Sequence, residues 1–332
     1  MNAQLKVFIT GGAGYVGAVL VPKLLERGYD VIVYDLFIYG EHVLKECSTA
    51  PNLTTINGDI RNRNLVKETI QGCDAVIHLA CISNDPSFEL NPKLGRSINL
   101  DAFRPLVEIA KDAGVKRFIY ASSSSVYGIK AVPDVHESMS LDPLTDYSRY
   151  KAECETILNE YQSSDFTTAT VRPATVCGYS PRQRLDVVVN ILTNLAYHKR
   201  EISVFGGDQL RPNININDMV EAYINILNAP KENIAGEIFN VGCENHTVMQ
   251  LAEIVREVIG KDVTLKATAT DDNRSYHISS RKIKNKLGFK PRHSICEAVR
   301  GLKKAFVNNL LSDPMENDYY YNTKRMRAIN MN

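Results

Sequence analysis

Short apolar runs alternate with amphipathic stretches through the first half of the chain. Residues 7–9, 31–34, 53–56, 75–80, 117–121 and 168–172 are the apolar runs, and their length and β-branched content predict buried strands. Val16, Val19, Leu20, Leu24 and Leu25 recur at helical spacing up to Gly28 and predict a first helix. Pro22 falls inside it and is expected to bend it or limit its regularity. Further helices are predicted over 97–113 and 146–161. This alternation predicts an α/β fold, a doubly wound parallel sheet of the Rossmann kind. After Gly178 the alternation loosens. Helices are expected over 185–198, from a cap at Asn217 to Leu227, and over 247–259 behind a Thr247 cap. Short strands are expected at 202–205 and 238–241. The pattern divides the chain into a first domain over 1–175, rejoined by 211–242, and a smaller, partly discontinuous α/β domain over 176–332.

The first strand runs into Gly11, Gly12, Gly14 and Gly17. Gly12, Gly14 and Gly17 give G-x-G-x-x-G, and Gly11, Gly14 and Gly17 give the wider G-x-x-G-x-x-G. Glycines there permit a tight turn, close approach of backbone to a pyrophosphate, and close packing of helix on strand. The helix N-terminus then offers free N–H groups to the phosphates. The second strand ends at Asp35, which lies 23 residues after Gly12, near the offset expected for an acid on the adenosine ribose. A carboxylate there favours NAD over NADP, because it repels a 2′-phosphate.

Composition narrows the partners. With 39 basic and 38 acidic residues, net +1, the chain shows no footprint for nucleic acid. No apolar run is long enough to span a bilayer, and a strand begins within six residues, so no secretory leader is expected. Seven scattered cysteines without a C-x-x-C pair fit reduced thiols in a cytoplasmic protein. No metal site is predicted.

Candidate chemistry follows from what a nicotinamide cofactor needs. Oxidising a carbinol requires a base for the hydroxyl proton, and free tyrosine titrates near ~10, too high for neutral pH. A lysine ammonium beside it stabilises the phenolate. Tyr147 and Lys151 stand four apart and share a helix face. The fifth strand runs into Ser122 to Ser125, and a hydroxyl from Ser123 or Ser125 is placed to hold the same proton. The long polar loop over 81–95 follows the fourth strand at its carboxyl end, where ligands of such sheets sit.

The segments TGGAGYVG, GDIRN, HLA, ASSSSVYG, YSRYK and RPATVCG resemble the extended short-chain dehydrogenase/reductase family, and within it the nucleotide-sugar epimerases and dehydratases. The resemblance covers nearly the whole chain. It implies bound NAD, held by Gly11, Gly14, Tyr15, Val16, Gly17, Asp35, Asp59, Ile60, Leu79, Ala80 and Asn99. It implies Tyr147 as catalytic base, Lys151 as its partner and ribose ligand, and Ser123 as the third member. Ser125 matches a second hydroxyl of members similar to UDP-galactose 4-epimerase. A nucleotide-diphosphate sugar is the implied substrate, gripped by Arg211 and Arg274, with Asn190 and Arg182 as further candidates. Arginine suits diphosphate because its fork binds oxygens in pairs. A homodimer through a four-helix bundle, built from the helices over 97–113 and 146–161, is also implied.

One detail separates the reactions. The family's 4,6-dehydratases carry an acid beside the catalytic hydroxyl, and here Ser124 and Ser125 stand at those positions. Local sequence therefore disfavours dehydration and leaves oxidation at one carbinol, expected at C4. Return of the hydride to the other face of the 4-keto sugar makes a 4-epimerase. Release of the ketone makes a dehydrogenase or, in reverse, a ketoreductase. The stretches over 81–94 and 174–190 are similar to GDP-heptose-modifying dehydrogenases, so a heptose is a second candidate sugar. A non-catalytic dinucleotide-binding regulator is the remaining reading, and such proteins typically lack the tyrosine or lysine that this chain keeps.

Overall fold

The computed structural model describes residues 5–130, 132, 134–270 and 277–329. Arg274, an expected diphosphate ligand, lies outside the described residues. The strands, in chain order, are β1 (Lys6–Thr10), β2 (Asp30–Asp35), β3 (Leu53–Asn57), β4 (Ala75–His78), β5 (Arg117–Ala121) and β6 (Thr167–Pro173). They are followed by β7 (Thr175–Cys177), β8 (Glu201–Phe205), β9 (Leu210–Asn215), β10 (Glu237–Val241), β11 (Glu244–Thr247) and β12 (Thr264–Thr268).

Seven strands form one parallel sheet in the order β10-β6-β5-β4-β1-β2-β3. The chain winds outward from β1 in one direction and from β4 in the other, so the crevice at their carboxyl ends is the topological switch point. Alternation along β1 decides which face each side chain feeds. Val7 and Ile9 join Leu20, Leu24, Val33, Met219 and Tyr223 in one core. Phe8 joins Ile32, Tyr34, Val76, Phe103 and Phe118 in the other. A third cluster, with Val189, Ile202, Leu251 and Val299, belongs to the second half of the chain. Around it lie a three-stranded sheet, β11-β9-β7, and the pair β12-β8. Of the residues over 211–242, β9 pairs in the three-stranded sheet and β10 edges the large one. The intervening helix Ile216–Asn228 sits against the first helix, where Arg27 bonds Glu221 at 2.7 Å.

Several expected boundaries move, each for a local reason. The first helix, Gly17–Glu26, is continuous across Pro22. The stretch expected as one helix over 97–113 divides into a π-turn, Ser97–Asp101, and a helix, Phe103–Asp112. The helix expected from Leu185 begins at Val188; the Leu185 N–H is bonded to the Tyr320 carbonyl at 2.9 Å. Asn215, not Asn217, caps the helix Ile216–Asn228, accepting the Asn217 N–H at 3.0 Å. Thr247 caps Val248–Ile259 in a reciprocal box with Gln250.

The carboxyl-terminal segment does not trail off as a polar tail. After the helix Ile295–Val307 it crosses back, and the last helix, Asn322–Ile329, buries Met326 among the core residues beside β1 and β2. No helix among the described residues is long and apolar enough to cross a membrane.

Candidate active site

A cleft of about 530 Å³ opens at the carboxyl ends of β1, β2, β4, β5 and β6. Gly11, Gly14, Tyr15, Val16, Gly17, Asp35, Asp59, Ile60, Leu79 and Ala80 line it. The glycines divide their work as G-x-x-G-x-x-G. Gly11 has φ +74°, and a Cβ there would lie 2.5 Å from the Ala80 nitrogen. A Cβ on Gly17 would lie 2.4 Å from the Gly12 carbonyl oxygen. Gly12 does not line the cleft; it packs on Val33 beneath the turn. The Asp35 carboxylate closes the turn by accepting N–H bonds from Ala13 at 2.9 Å and Phe37 at 2.8 Å. Burial raises its pKa, and those bonds and the Arg182 charge act against the rise. Burial also pushes the Asp59 carboxyl up, but its bonds from Arg61 outweigh this and hold it below the ordinary value.

This cradle leaves room at its turn only because Gly11 has no side chain. Gly11→Ala adds backbone strain of roughly 1–2 kcal/mol and a collision with the β4 end. Dinucleotide affinity should fall at least about tenfold, read by titrating NAD against the apoprotein. Unchanged affinity would mean the turn relaxes freely and does not shape the site.

The helix Asp146–Glu160 carries the candidate base Tyr147 and its candidate partner Lys151. Thr145 caps it, accepting the Ser148 N–H at 3.2 Å. That start turns Tyr147 and Lys151 to the cleft, which both line, while Tyr150 packs on Phe88 at 5.6 Å. Lys151 is 4% exposed and donates to the Ala121 carbonyl at 2.6 Å. Its ammonium stands 5.8 Å from the centre of the Tyr147 ring. Behind it His78 lies stacked on Tyr120 and bonded to Thr10. Burial, helped by the Lys151 charge, pulls His78 down to about 3, so it stays neutral.

The serines after β5 form one end of a hydroxyl chain. Ser123 and Ser125 Oγ atoms are 2.8 Å apart, Ser125 and Ser148 2.9 Å, and Ser148 and Thr145 3.0 Å. Thr145 then donates to the Asp85 carboxylate at 2.6 Å. Local sequence showed no acid beside Ser125, but the fold brings Asp85 and Asp186 to the cleft wall from other segments. Asp186 is bonded to Arg184 at 2.8 Å; burial pushes its carboxyl up, and the nearby Arg184 charge more than reverses this.

The remaining candidates separate in space. Arg211 lines the cleft from β9. Arg182 also lines it, buried against the ring of Tyr39. Asn190 and Asn99 are not in its wall. Asn190 is fully buried, its oxygen taking the Gly178 N–H and its nitrogen facing Tyr15 and the Arg184 carbonyl. Asn99 spends both amide ends on the Ile82 backbone, at 2.8 and 3.0 Å, and so shapes the loop after β4. Sequence reasoning missed Tyr39, Asp85, Arg184 and Asp186. For Asp85 the polar loop over 81–95 was a signal, and for Arg184 and Asp186 the two charges in RLD, set before an apolar helix. Among the described residues no group of three His, Cys, Asp or Glu is gathered to hold a metal ion.

Residues 7–242 match the model of the NAD dependent epimerase/dehydratase family. The chain belongs to that family. It is 30% identical to UDP-glucuronic acid decarboxylase 1 of Arabidopsis thaliana over 93% of this chain and 72% of that one. It is 26% identical to a UDP-glucose 4-epimerase of Lactobacillus helveticus, over 89% and 94%. Among solved structures, DesIV of Streptomyces venezuelae, a dTDP-glucose 4,6-dehydratase with NAD bound, superposes with a TM-score of 0.84. It is 23% identical over 94% of this chain and all of that one. The family therefore spans epimerases, dehydratases and decarboxylases of nucleotide sugars, and its cofactor is NAD. The glycine turn and the Asp35 position fit that dinucleotide.

Proposed function

We propose that the protein interconverts two nucleotide-diphosphate sugars that differ at C4. Support comes from the groups around Tyr147. Serines occupy 123, 124 and 125, and the chain leading from them is hydroxyl until Asp85. An eliminating or decarboxylating enzyme needs a further acid or base at the sugar. The cleft carboxylates at this end, Asp85 and Asp186, are bonded to Thr145 and Arg184.

Bound NAD supplies reversible two-electron chemistry at the carbinol carbon. Tyr147 accepts the carbinol proton, and the Lys151 ammonium favours the phenolate that this requires. Ser123 Oγ accepts from the carbinol hydroxyl before that proton passes to Tyr147 and so orients it. An ionised Asp85 accepts only, so Thr145 must donate to it. Ser148, Ser125 and Ser123 can then donate in turn, leaving a Ser123 lone pair toward the cleft. After the 4-keto sugar turns over, Tyr147 returns the proton on reduction.

The test is incubation with UDP-, GDP-, dTDP- and CDP-sugars without added NAD, following absorbance near 340 nm and recovering the sugars for NMR. A C4 stereoisomer with no lasting absorbance is expected. A keto sugar with lasting absorbance would replace epimerisation by net oxidation. A 4-keto-6-deoxy product would assign dehydration instead.

A further inference from the structure

Arg182 is the least satisfied charged group in the cleft wall. It is 3% exposed, and no carboxylate among the described residues forms an ion pair with it. Its guanidinium lies 3.5 Å from the centre of the Tyr39 ring. One terminal nitrogen donates to Asn322 Oδ1 and the other to the Gln183 carbonyl at 3.3 Å. Its Nε is buried and has no partner among the described residues. Asp35 and Asp186 act on its charge from a distance without an ion pair, and a buried cation held that way gains from a direct anionic partner.

Asn322 fixes this arrangement. It is 1% exposed and uses every polar atom it has. Its Oδ1 accepts from Arg182 and from the Tyr39 hydroxyl, the latter at 3.1 Å. Its Nδ2 donates to Ser83 Oγ at 2.7 Å, and its backbone N–H to Asp186 at 2.9 Å. One side chain from the end of the sequence thus ties together the loop after β2, the loop after β4 and the 182–186 segment. Arg325, one turn further on, donates to the Ile38 carbonyl and to Asp318 and covers the Tyr319 ring.

We propose that Asn322 is a positioning residue for cofactor retention: it holds Arg182 so that an unspent terminal N–H of the guanidinium takes an anionic oxygen of bound NAD. The choice of the dinucleotide over the sugar diphosphate follows from neighbours. Arg182 stacks on Tyr39 in the loop after β2, the strand that ends at Asp35, whereas Arg184 pairs with Asp186 at 2.8 Å. Arg182 therefore stands on the β2 side of the cleft, where the dinucleotide cradle lies. This proposal rests on NAD as the cofactor and not on which sugar is turned over.

The experiment loads the full-length protein with labelled NAD, chases with unlabelled NAD, and measures the dissociation rate. Asn322→Ala and Arg182→Met should each speed release about tenfold, the loss of one charge-assisted hydrogen bond. The double variant should be no faster than Arg182→Met, because the asparagine acts through the arginine. Asn322→Asp keeps the acceptor and lets the Ser83 hydroxyl donate to it, but its charge pairs with Arg182, so release should fall between wild type and the alanine variant. Wild-type release from Asn322→Ala would overturn the proposal. So would multiplying effects in the double variant, or an aspartate as fast as the alanine, since either makes Asn322 merely structural. Wild-type protein that binds no NAD at all would overturn the cofactor assignment itself, a separable result.

Discussion

Turnover by Tyr147→Phe falls by about a thousandfold, while NAD stays bound. The phenylalanine keeps the ring against the cleft and removes only the oxygen that takes the proton. General acid–base groups contribute about 10²–10⁴ in rate, and no other group near the serines replaces it. Lys151 sits 5.8 Å from that ring centre and is held by the Ala121 carbonyl. The Ser123 hydroxyl, with its proton free to pass toward Ser125 and Ser148, is too weak a base to act alone at neutral pH. The dinucleotide cradle is built from β1, β2 and β4 and is left intact. Product assayed by NMR, with NAD content measured on the same sample, checks both halves. Substantial turnover would move the base to another residue, and loss of NAD would show that the phenol also anchors the cofactor.

The second large effect is on stability. Glu155 and Arg172 form an ion pair behind the serine strand end, with side chains 4% and 3% exposed. Arg172 Nε reaches the carboxylate at 3.0 and 3.2 Å, and Nη1 reaches the Tyr127 hydroxyl at 2.7 Å. Tyr127 passes on to Asn240 of β10 at 2.7 Å, and Ser122 donates to Glu155. Burial works against the Arg172 charge, but Glu155 outweighs it and holds the guanidinium above its ordinary pKa. Glu155→Ala strands that cation and should cost about 3–5 kcal/mol. Against a typical total of about 5–15 kcal/mol this is a large share. Pairing it with Arg172→Met removes the stranded charge and should recover much of the loss. Urea unfolding of wild type, both single variants and the double variant measures this. A double variant no more stable than Glu155→Ala would place the cost in packing and not in charge. Because Ser122 adjoins Ser123, the single variant should also loosen the catalytic hydroxyls.

Much of the frame was legible because it is written in local patterns. The run from Val7 to Gly17 reads as strand, turn and helix, since a glycine-rich turn at φ +74° admits few alternatives. The Tyr147 and Lys151 pair was legible because a helix fixes neighbours four apart onto one face. The boundaries were less legible, since neighbouring residues compete to open a helix. Asn217 looked like a cap, but Asn215, two residues earlier at the end of β9, is the one that accepts.

By itself, then, the chain's order of residues determined the parallel sheet, the glycine turn, the Asp35 strand end and the Tyr147 helix. The turn, the strand end and the helix depend on contacts within a few residues, and the parallel pairing follows from the strand–helix alternation. Tertiary structure alone decided that Asp85 bonds Thr145, that Arg182 stacks on Tyr39, and that Asn190 lies behind the wall. It also decided that Asn322 returns from the far end of the chain to bond Ser83, 239 residues away, and Arg182, 140 away. No local propensity encodes such contacts. They arise only when the core beside β1 buries Met326 and so brings the last helix home.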